Sequence, residues 1–347
     1  MALTRAGRLR VGAVGLGRIG TVHARTLAGL EGVSEVVVAD ADAERAEEVA
    51  RELKVAATDT PEALFGAGVD AVVIAAATPA HAPLLRLAAA ASVPAFCEKP
   101  VALDLETLDG VAGDVNRAGI LVQVGFQRRF DAGYRAARDA VGAGALGKLL
   151  VVRAATHDPA PPSEAYVAAS GGIFRDLHIH DFDAVRFVTG EEIVEVYADG
   201  AVRETEWLES LHDVDAAVAV LRLSSGTLGI LSGTRHDPLG YDVRLEVFGA
   251  ADSIAVGFDA RSPIRSVEPG AAAPGPGYGS FLERFARAYR AELEAFVRTV
   301  RDGCESACPL EDARAALAVA LAADRSRAER RPVSIEEVTT SAEAVTR

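Results

Sequence analysis

The segment DLHIHDFD, Asp176 to Asp183, sets two histidines and three aspartates within eight positions. Such a cluster has three chemical readings: a metal cage, a general base with its orienting acid, or a charged helix surface. Leu177, Phe182, Val185 and Val188 recur at helical spacing and Gly190 offers a stop, so a helix is expected across RDLHIHDFDAVRFVTG. On that helix Asp176 and His180 stand four apart and share a face, while His178 lies about 200° round from Asp176. An H-x-H pair chelates well from a strand and poorly from a helix. No third ligand cluster accompanies it, and Cys97, Cys304 and Cys308 match neither a zinc pattern nor a disulfide framework. No metal is expected. A histidine oriented by a carboxylate is a competent base near neutral pH. A solvated charged face is the alternative for the cluster taken alone.

A second candidate comes from composition. Of 36 basic residues only three are lysines, Lys54, Lys99 and Lys148. Arginine cannot surrender its proton and an ammonium can, so each remaining lysine is a candidate for needing an amine. Lys99 could polarise an alcohol oxygen while His180 removes its proton. That chemistry needs a hydride acceptor, and the first half of the chain supplies the means to bind one.

LRVGAV is an apolar strand followed by the turn Gly15-Leu16-Gly17-Arg18-Ile19-Gly20, a helical stretch, and a second strand, EVVVAD, ending in Asp40. This is a dinucleotide fingerprint in its full strand–turn–helix context. Gly15 permits the tight turn, Gly17 lets the backbone approach a pyrophosphate at the helix N-terminus, and Gly20 allows close helix–strand packing. The Asp40 carboxylate suits a free ribose hydroxyl and repels a 2′-phosphate, so NAD is the expected cofactor. Strands DAVVIAAAT, VPAFCEKP and ILVQVGF alternate with helices, as in a parallel sheet covered on both faces. Ligands in such sheets bind beyond the strands' carboxyl ends, where Thr78, His81, Glu98 and Lys99 fall. His81 equally suits a helix start.

From Phe126 the texture changes. LLVVRAATHD, VEVYADGAV, DVDAAVAVLRLSSGTLGILSGTRHD and YDVRLEVFGAADSIAVGF read as strands of an antiparallel sheet, followed by the loop AAAPGPGYGS and two amphipathic helices. The expected fold is α/β: a Rossmann domain over residues 1–125, an α+β domain with a large, mostly antiparallel sheet over 126–330, and a C-terminal strand and tail over 331–347.

At 347 residues the chain suits two domains, and a formal charge of −14 argues against nucleic acid or an anionic membrane as partner. The glycine-broken N-terminal apolar run lacks a signal-peptide pattern, and no stretch of about 18 apolar residues spans a membrane. A reducing cytoplasm is the expected compartment.

GLGRIG, EKP at a strand end, GFQRRFDAGY (125–134) and G-G-x-x-x-D-x-x-x-H-D-x-D, in this order, resemble the glucose–fructose oxidoreductase / inositol dehydrogenase / MocA (Gfo/Idh/MocA) family over nearly the whole chain. The resemblance implies that Lys99, Asp176 and His180 form the catalytic set, that the lysine–proline bond is cis, and that the second domain's open sheet makes a homotetramer. THDPAPP and GYDVRLEVFG lean toward the inositol 2-dehydrogenase branch. Carried over by position, Gln127, Thr156, His157, Asp158 and Tyr241 join Lys99, Asp176 and His180 in holding a polyol, with myo-inositol oxidised to its 2-keto product. Another cyclitol or aldose, such as scyllo-inositol or a glucose-like pyranose, is the alternative within oxidoreductases. A glycosidase that recycles its hydride through bound NAD is the alternative outside them.

Overall fold

The computed structural model describes residues 7–345, and the first six residues and the last two of the expected domains lie outside it. Two units are seen. Residues up to Gln127 together with Arg287–Arg314 make the first, and Arg128–Ala286 with the residues from Ala315 onward make the second. The segment Arg287–Arg314, expected in the second domain, therefore packs with the first. The reason is its apolar face: Leu293, Phe296 and Val297 of the helix Ala286–Asp302 are buried in one core with Leu9, Val11, Val36, Val38 and Phe96.

In the first unit β1 (Leu9–Val14), β2 (Val33–Ala39), β3 (Ala56–Ala57), β4 (Ala71–Ile74), β5 (Ala95–Glu98) and β6 (Val122–Gly125) form one sheet in the order β3-β2-β1-β4-β5-β6. Every pair is parallel. The two-residue β3 is too short to carry a sequence pattern and was not anticipated. Asp42, Thr60 and Asp104 cap the helices that follow, each accepting backbone N–H groups in the first turn. The order reverses between β1 and β4, where such folds take ligands.

The second unit holds β7 (Leu149–His157), β8 (Ile193–Ala201), β9 (Ala216–Leu223), β10 (Leu228–Thr234), β11 (Asp242–Gly249), β12 (Ser253–Val256) and β13 (Val333–Ser334) in the order β12-β11-β7-β10-β9-β8-β13. All neighbours are antiparallel except β7 and β10. Three helices, Glu164–Ser170, Ile173–Asp176 and Ile179–Thr189, intervene between β7 and β8 and carry the chain across. The anticipated C-terminal strand is β13; a helix, Ile335–Val345, follows where only a tail was expected. One face of this sheet stays apolar and open. Tyr197, Val220 and Ile230 lie directly opposite one another on β8, β9 and β10, and all are exposed.

The single helical turn Gln127–Phe130 buries two consecutive arginines. Arg128 pairs with Asp181 and Arg129 makes a two-pronged bond to Asp183 (2.6 and 2.9 Å), both acids from the helix Ile179–Thr189. All four side chains are buried. Burial alone would push Asp181 up, but the Arg128 charge and the His178 hydrogen bond outweigh it and hold the carboxyl at about 2. That stabilisation is fully present above the ordinary carboxylate range and is lost as pH falls through about 2. Asp181→Asn strands the Arg128 charge in the core and should cost about 3–5 kcal/mol. Urea unfolding of the variant at pH 7 measures it, and a midpoint equal to wild type would show the pair to be dispensable.

Candidate functional site

The glycine turn after β1 is built by close approach. Gly15 has φ +86°, and a Cβ there would lie 2.4 Å from Ala76 Cα. A Cβ on Gly20 would lie 1.8 Å from the Gly15 carbonyl oxygen, so only glycine lets the helix Arg18–Ala28 start against the strand. Gly17, the N-cap, is different: a Cβ would meet nothing within 4 Å, so its backbone faces open space. No acidic residue stands in the helix's first turn, which leaves the N–H groups of Arg18, Ile19 and Gly20 at an uncompensated positive end. Asp40 is tied in place, accepting from Leu16 N–H (2.5 Å) and Asp42 N–H (3.0 Å). A bare helix end beside a fixed carboxylate fits a pyrophosphate and a ribose diol. Thr78 opens the helix Thr78–Ala90, half-buried, past the end of β4.

Lys99 follows β5 directly, and its bond to Pro100 is cis. Its neighbours are held by histidines. Glu98, buried, accepts from His23 Nε2 (2.7 Å), a partner that the sequence reading passed over. His81 is also buried, with Nδ1 2.8 Å from Pro100 O and Nε2 2.9 Å from Ala76 O. Desolvation lowers its pKa, so the neutral ring offers one N–H between two carbonyls. His81 thus sits at the carboxyl end of the sheet with its one N–H shared between two backbone carbonyls.

In the second unit the expected continuous helix through Asp176 and His180 is broken. Ile173–Asp176 and Ile179–Thr189 are separate helices joined through Leu177 and His178. The ladder slips there: Ile173 O accepts from both Leu177 N–H and His178 N–H (3.0 Å each). Side-chain demands explain the slip. His178 Nδ1 bonds Asp181 Oδ2 (2.8 Å), its ring stacks on Phe174, and Gly233 leaves room for it. The Asp176–His180 relation thus rests on this two-helix junction, not on one helical turn.

Asp176 is buried, and both of its carboxylate oxygens are hydrogen-bonded. Tyr166 Oη donates to Oδ1 (2.9 Å), and Arg235, fully buried, donates to Oδ2 (3.4 Å) and to Asp213 Oδ2 (3.5 Å). Asp213 in turn accepts the Ile173 N–H (2.9 Å), capping the short helix. Gly171 and Gly172, with φ of +86° and +88°, turn the chain into that cap. Arg175 anchors the same helix to Asp324 (2.9 Å) on the helix Leu310–Glu329. His180 is half-buried on the first turn of the next helix.

Of the expected polyol contacts, Thr156 lies in the buried ion-pair network. Its hydroxyl donates to Asp181 (2.8 Å) and accepts from Arg128 (2.9 Å), and the residue is buried in that ion-pair network. Gln127 is buried, and its Oε1 has no hydrogen-bond partner among the described residues. His157, at the end of β7, bonds Thr234 Oγ1 through Nδ1 (3.0 Å), and burial lowers its pKa. Asp158 follows with its N–H on Thr234 O. Tyr241 is buried against Phe281 and Phe285, which raises its phenol pKa. The residues missed were Arg128, Arg129, Arg235, Asp213, Tyr166, His23 and Glu292. Two adjacent arginines between Phe126 and Phe130 were the available signal, because an apolar frame predicts burial and buried arginines demand acids.

Residues 9–126 match the family model described as "Oxidoreductase family, NAD-binding Rossmann fold", and residues 134–255 match the "GFO/IDH/MocA C-terminal domain". The chain is 39% identical to a myo-inositol 2-dehydrogenase of Thermotoga maritima, over 95% of this chain and 99% of the relative. Among solved structures it is similar to a myo-inositol dehydrogenase from Corynebacterium glutamicum, with TM-score 0.87, 35% identity and coverage of 94% and 98% of the two chains. It is also similar to a scyllo-inositol dehydrogenase from Lactobacillus casei solved with NAD(H) and scyllo-inositol, with TM-score 0.86, 28% identity and coverage of 94% and 99%.

Two outcomes are expected from this geometry. Gly20→Ala forces the turn open and should weaken NAD binding at least about tenfold, or 1.4 kcal/mol, in a fluorescence titration; an unchanged affinity would detach the turn from the cofactor. Asp324 is pushed up to about 6 by burial, with Arg175 opposing. Its folded pKa lies above the unfolded one, so its stabilisation is complete below the ordinary carboxylate range and is lost as pH rises through about 6. Asp324→Asn should therefore flatten the change in urea midpoint between pH 5 and 7.5, relative to wild type.

Proposed function

The chain belongs to the Gfo/Idh/MocA family of oxidoreductases, and on that premise we propose that it is an NAD-dependent dehydrogenase of a cyclitol ring hydroxyl. The substrate proposed is myo-inositol and the product 2-keto-myo-inositol (scyllo-inosose). The observation that carries this reading is the near-full-length likeness to a myo-inositol 2-dehydrogenase in a chain that has Lys99, Asp176 and His180. NAD, when bound, supplies the hydride acceptor. Gly15, Gly17, Arg18, Ile19 and Gly20 would hold its pyrophosphate, Asp40 its ribose, and Thr78 the region past β4.

The remaining roles fall to side chains. His180 takes the hydroxyl proton, Asp176 orients the imidazole and favours its charged form, and Lys99 stabilises the oxygen as it becomes a carbonyl. The carbon gives up its hydrogen with the bonding electron pair, so the alcohol is oxidised by two electrons. Gln127, His157, Asp158 and Tyr241 are proposed to read the ring hydroxyls. Discrimination against a substrate lacking one is then strong, because a buried partner would be left unpaired. The scyllo-inositol dehydrogenase likeness keeps that epimer as the second reading.

We place the working protein in a reducing cytoplasm as a homotetramer. Support for the first comes from Cys97, Cys304 and Cys308, all free thiols. Support for assembly comes from the exposed row Tyr197, Val220 and Ile230, an apolar patch of the kind that a second copy covers. Among the described residues no helix is long and apolar enough to cross a membrane.

The test is absorbance at 340 nm with purified protein, NAD and a panel of inositols and aldoses, with NADP in parallel. Growth with myo-inositol and NAD is expected. Growth with scyllo-inositol alone would move the substrate, and a flat trace with NAD released on denaturation would replace the dehydrogenase with hydride recycling. His180→Ala should lower kcat roughly 10²–10⁴-fold without loss of NAD affinity, and a near-normal rate would remove His180 from the chemistry. Light scattering on a sizing column should give four copies for wild type, and Val220→Glu with Ile230→Glu should give smaller species.

A further inference from the structure

Lys99 is bracketed by histidines from both chain directions. Before it, His23 Nε2 donates to Glu98 Oε1 (2.7 Å), and Glu98 Oε2 accepts the Lys99 N–H (3.2 Å). After it, His81 lies between the Pro100 carbonyl (Nδ1, 2.8 Å) and Ala76 O past the end of β4 (Nε2, 2.9 Å), its one N–H available to either. The fold has made room for this. A Cβ on Gly125, the partner of Glu98 across β5 and β6, would lie 3.1 Å from Glu98 Oε1.

A third group completes the pair. Glu292, on the helix Ala286–Asp302, is fully buried with ligating atoms of His23, Glu98 and Glu292 all within 4.8 Å of one another. Neither Glu292 oxygen, nor His23 Nδ1, has a hydrogen-bond partner among the described residues. Burial first, and the Glu98 charge second, push the Glu292 carboxyl well above the usual range. A divalent ion suits the trio poorly. Two ligands on one zinc stand about 3.3 Å apart, whereas His23 and Glu98 are closed at hydrogen-bond distance with Phe96 and Tyr289 edge-on against the imidazole.

We propose that His23 and His81 are positioning residues that hold Lys99 from both sides, and that Glu292 closes the buried space beside the His23–Glu98 pair. The proposal rests on the catalytic reading of Lys99. Its consequence is that the lysine's aim is set by atoms that never touch the substrate, and a displacement of about 1 Å at such a group costs on the order of 10²-fold in rate.

The test is a double-mutant cycle on the full chain, with kcat and the KM values for NAD and inositol as readouts and thermal unfolding as the folding control. His23→Ala should lower kcat about 10–100-fold with both KM values changed less than about threefold. His23→Gln, which retains an N–H for Glu98, should recover most of that loss. Glu292→Gln should keep kcat within about twofold, because the amide fills the same space. In a Lys99→Ala background, His23→Ala should add little. Fully multiplicative losses, a wild-type rate in His23→Ala, retained metal in the purified protein, or a Glu292→Gln defect as large as that of His23→Ala would each overturn the proposal. Should His23→Ala not fold, Gly125→Ala, which crowds the Glu98 carboxylate, takes its place with the same outcomes. Lys99→Ala at the wild-type rate would sink the catalytic reading itself and the positioning role with it.

Discussion

Burying charge is the constraint on which the second unit depends. Arg128, Arg129 and Arg235 are almost without solvent contact, and each is matched to an aspartate that is itself buried. An uncompensated charge in that setting costs several kcal/mol, so these pairs dictate which elements meet. Arg128 and Arg129 draw the helix Ile179–Thr189 onto the turn that follows Gln127. Arg235 joins the chain beyond β10 to Asp176 and Asp213. Once these pairs are made, Thr156 and His178 serve as the remaining hydrogen-bond partners of Asp181, and their chemistry is used inside the protein.

The first unit solves a different problem. Its central strands β1, β4, β5 and β6 are buried on both faces, and its ligand end is shaped by what is missing: side chains at Gly15, Gly17 and Gly20. Where side chains return, at Glu98 and Lys99, they are braced. His23 reaches Glu98 from the fingerprint helix itself, so the element that would bind a pyrophosphate also steadies the strand end before the lysine. Glu292 arrives from far along the chain because its helix carries Leu293 and Phe296 into the first core. Apolar burial places that acid, and the acid then has no water to ionise into.

Most of the architecture was legible beforehand. Continuous apolar strands between helices announced the parallel sheet, and alternating strands from Leu149 onward announced the mixed one. The two-residue β3 and the parallel β7–β10 pair were not legible, since the first is too short for a pattern and the second is a consequence of helices returning the chain. The candidate site was read unevenly. Lys99, Asp176 and His180 stood out by their reactive types, but the single helix that was to align the last two is broken at Leu177–His178. His81 and Thr156 are types suited to ligand contact, and the internal polar partners that each of them meets were not legible.

The sequence by itself determined the glycine turn, the acid at the end of β2, the lone lysine at the end of β5 and the hydrophobic periods of both sheets. These are local: a backbone needing no Cβ, or a face needing oil, is written in consecutive residues. Tertiary structure alone decided which of the five ionisable residues in DLHIHDFD face inward to arginines, and that His23, Glu98 and Glu292 share one buried pocket. A charge's partner is set by distance through space, and residues 75 and 194 positions apart leave no periodic trace of their meeting.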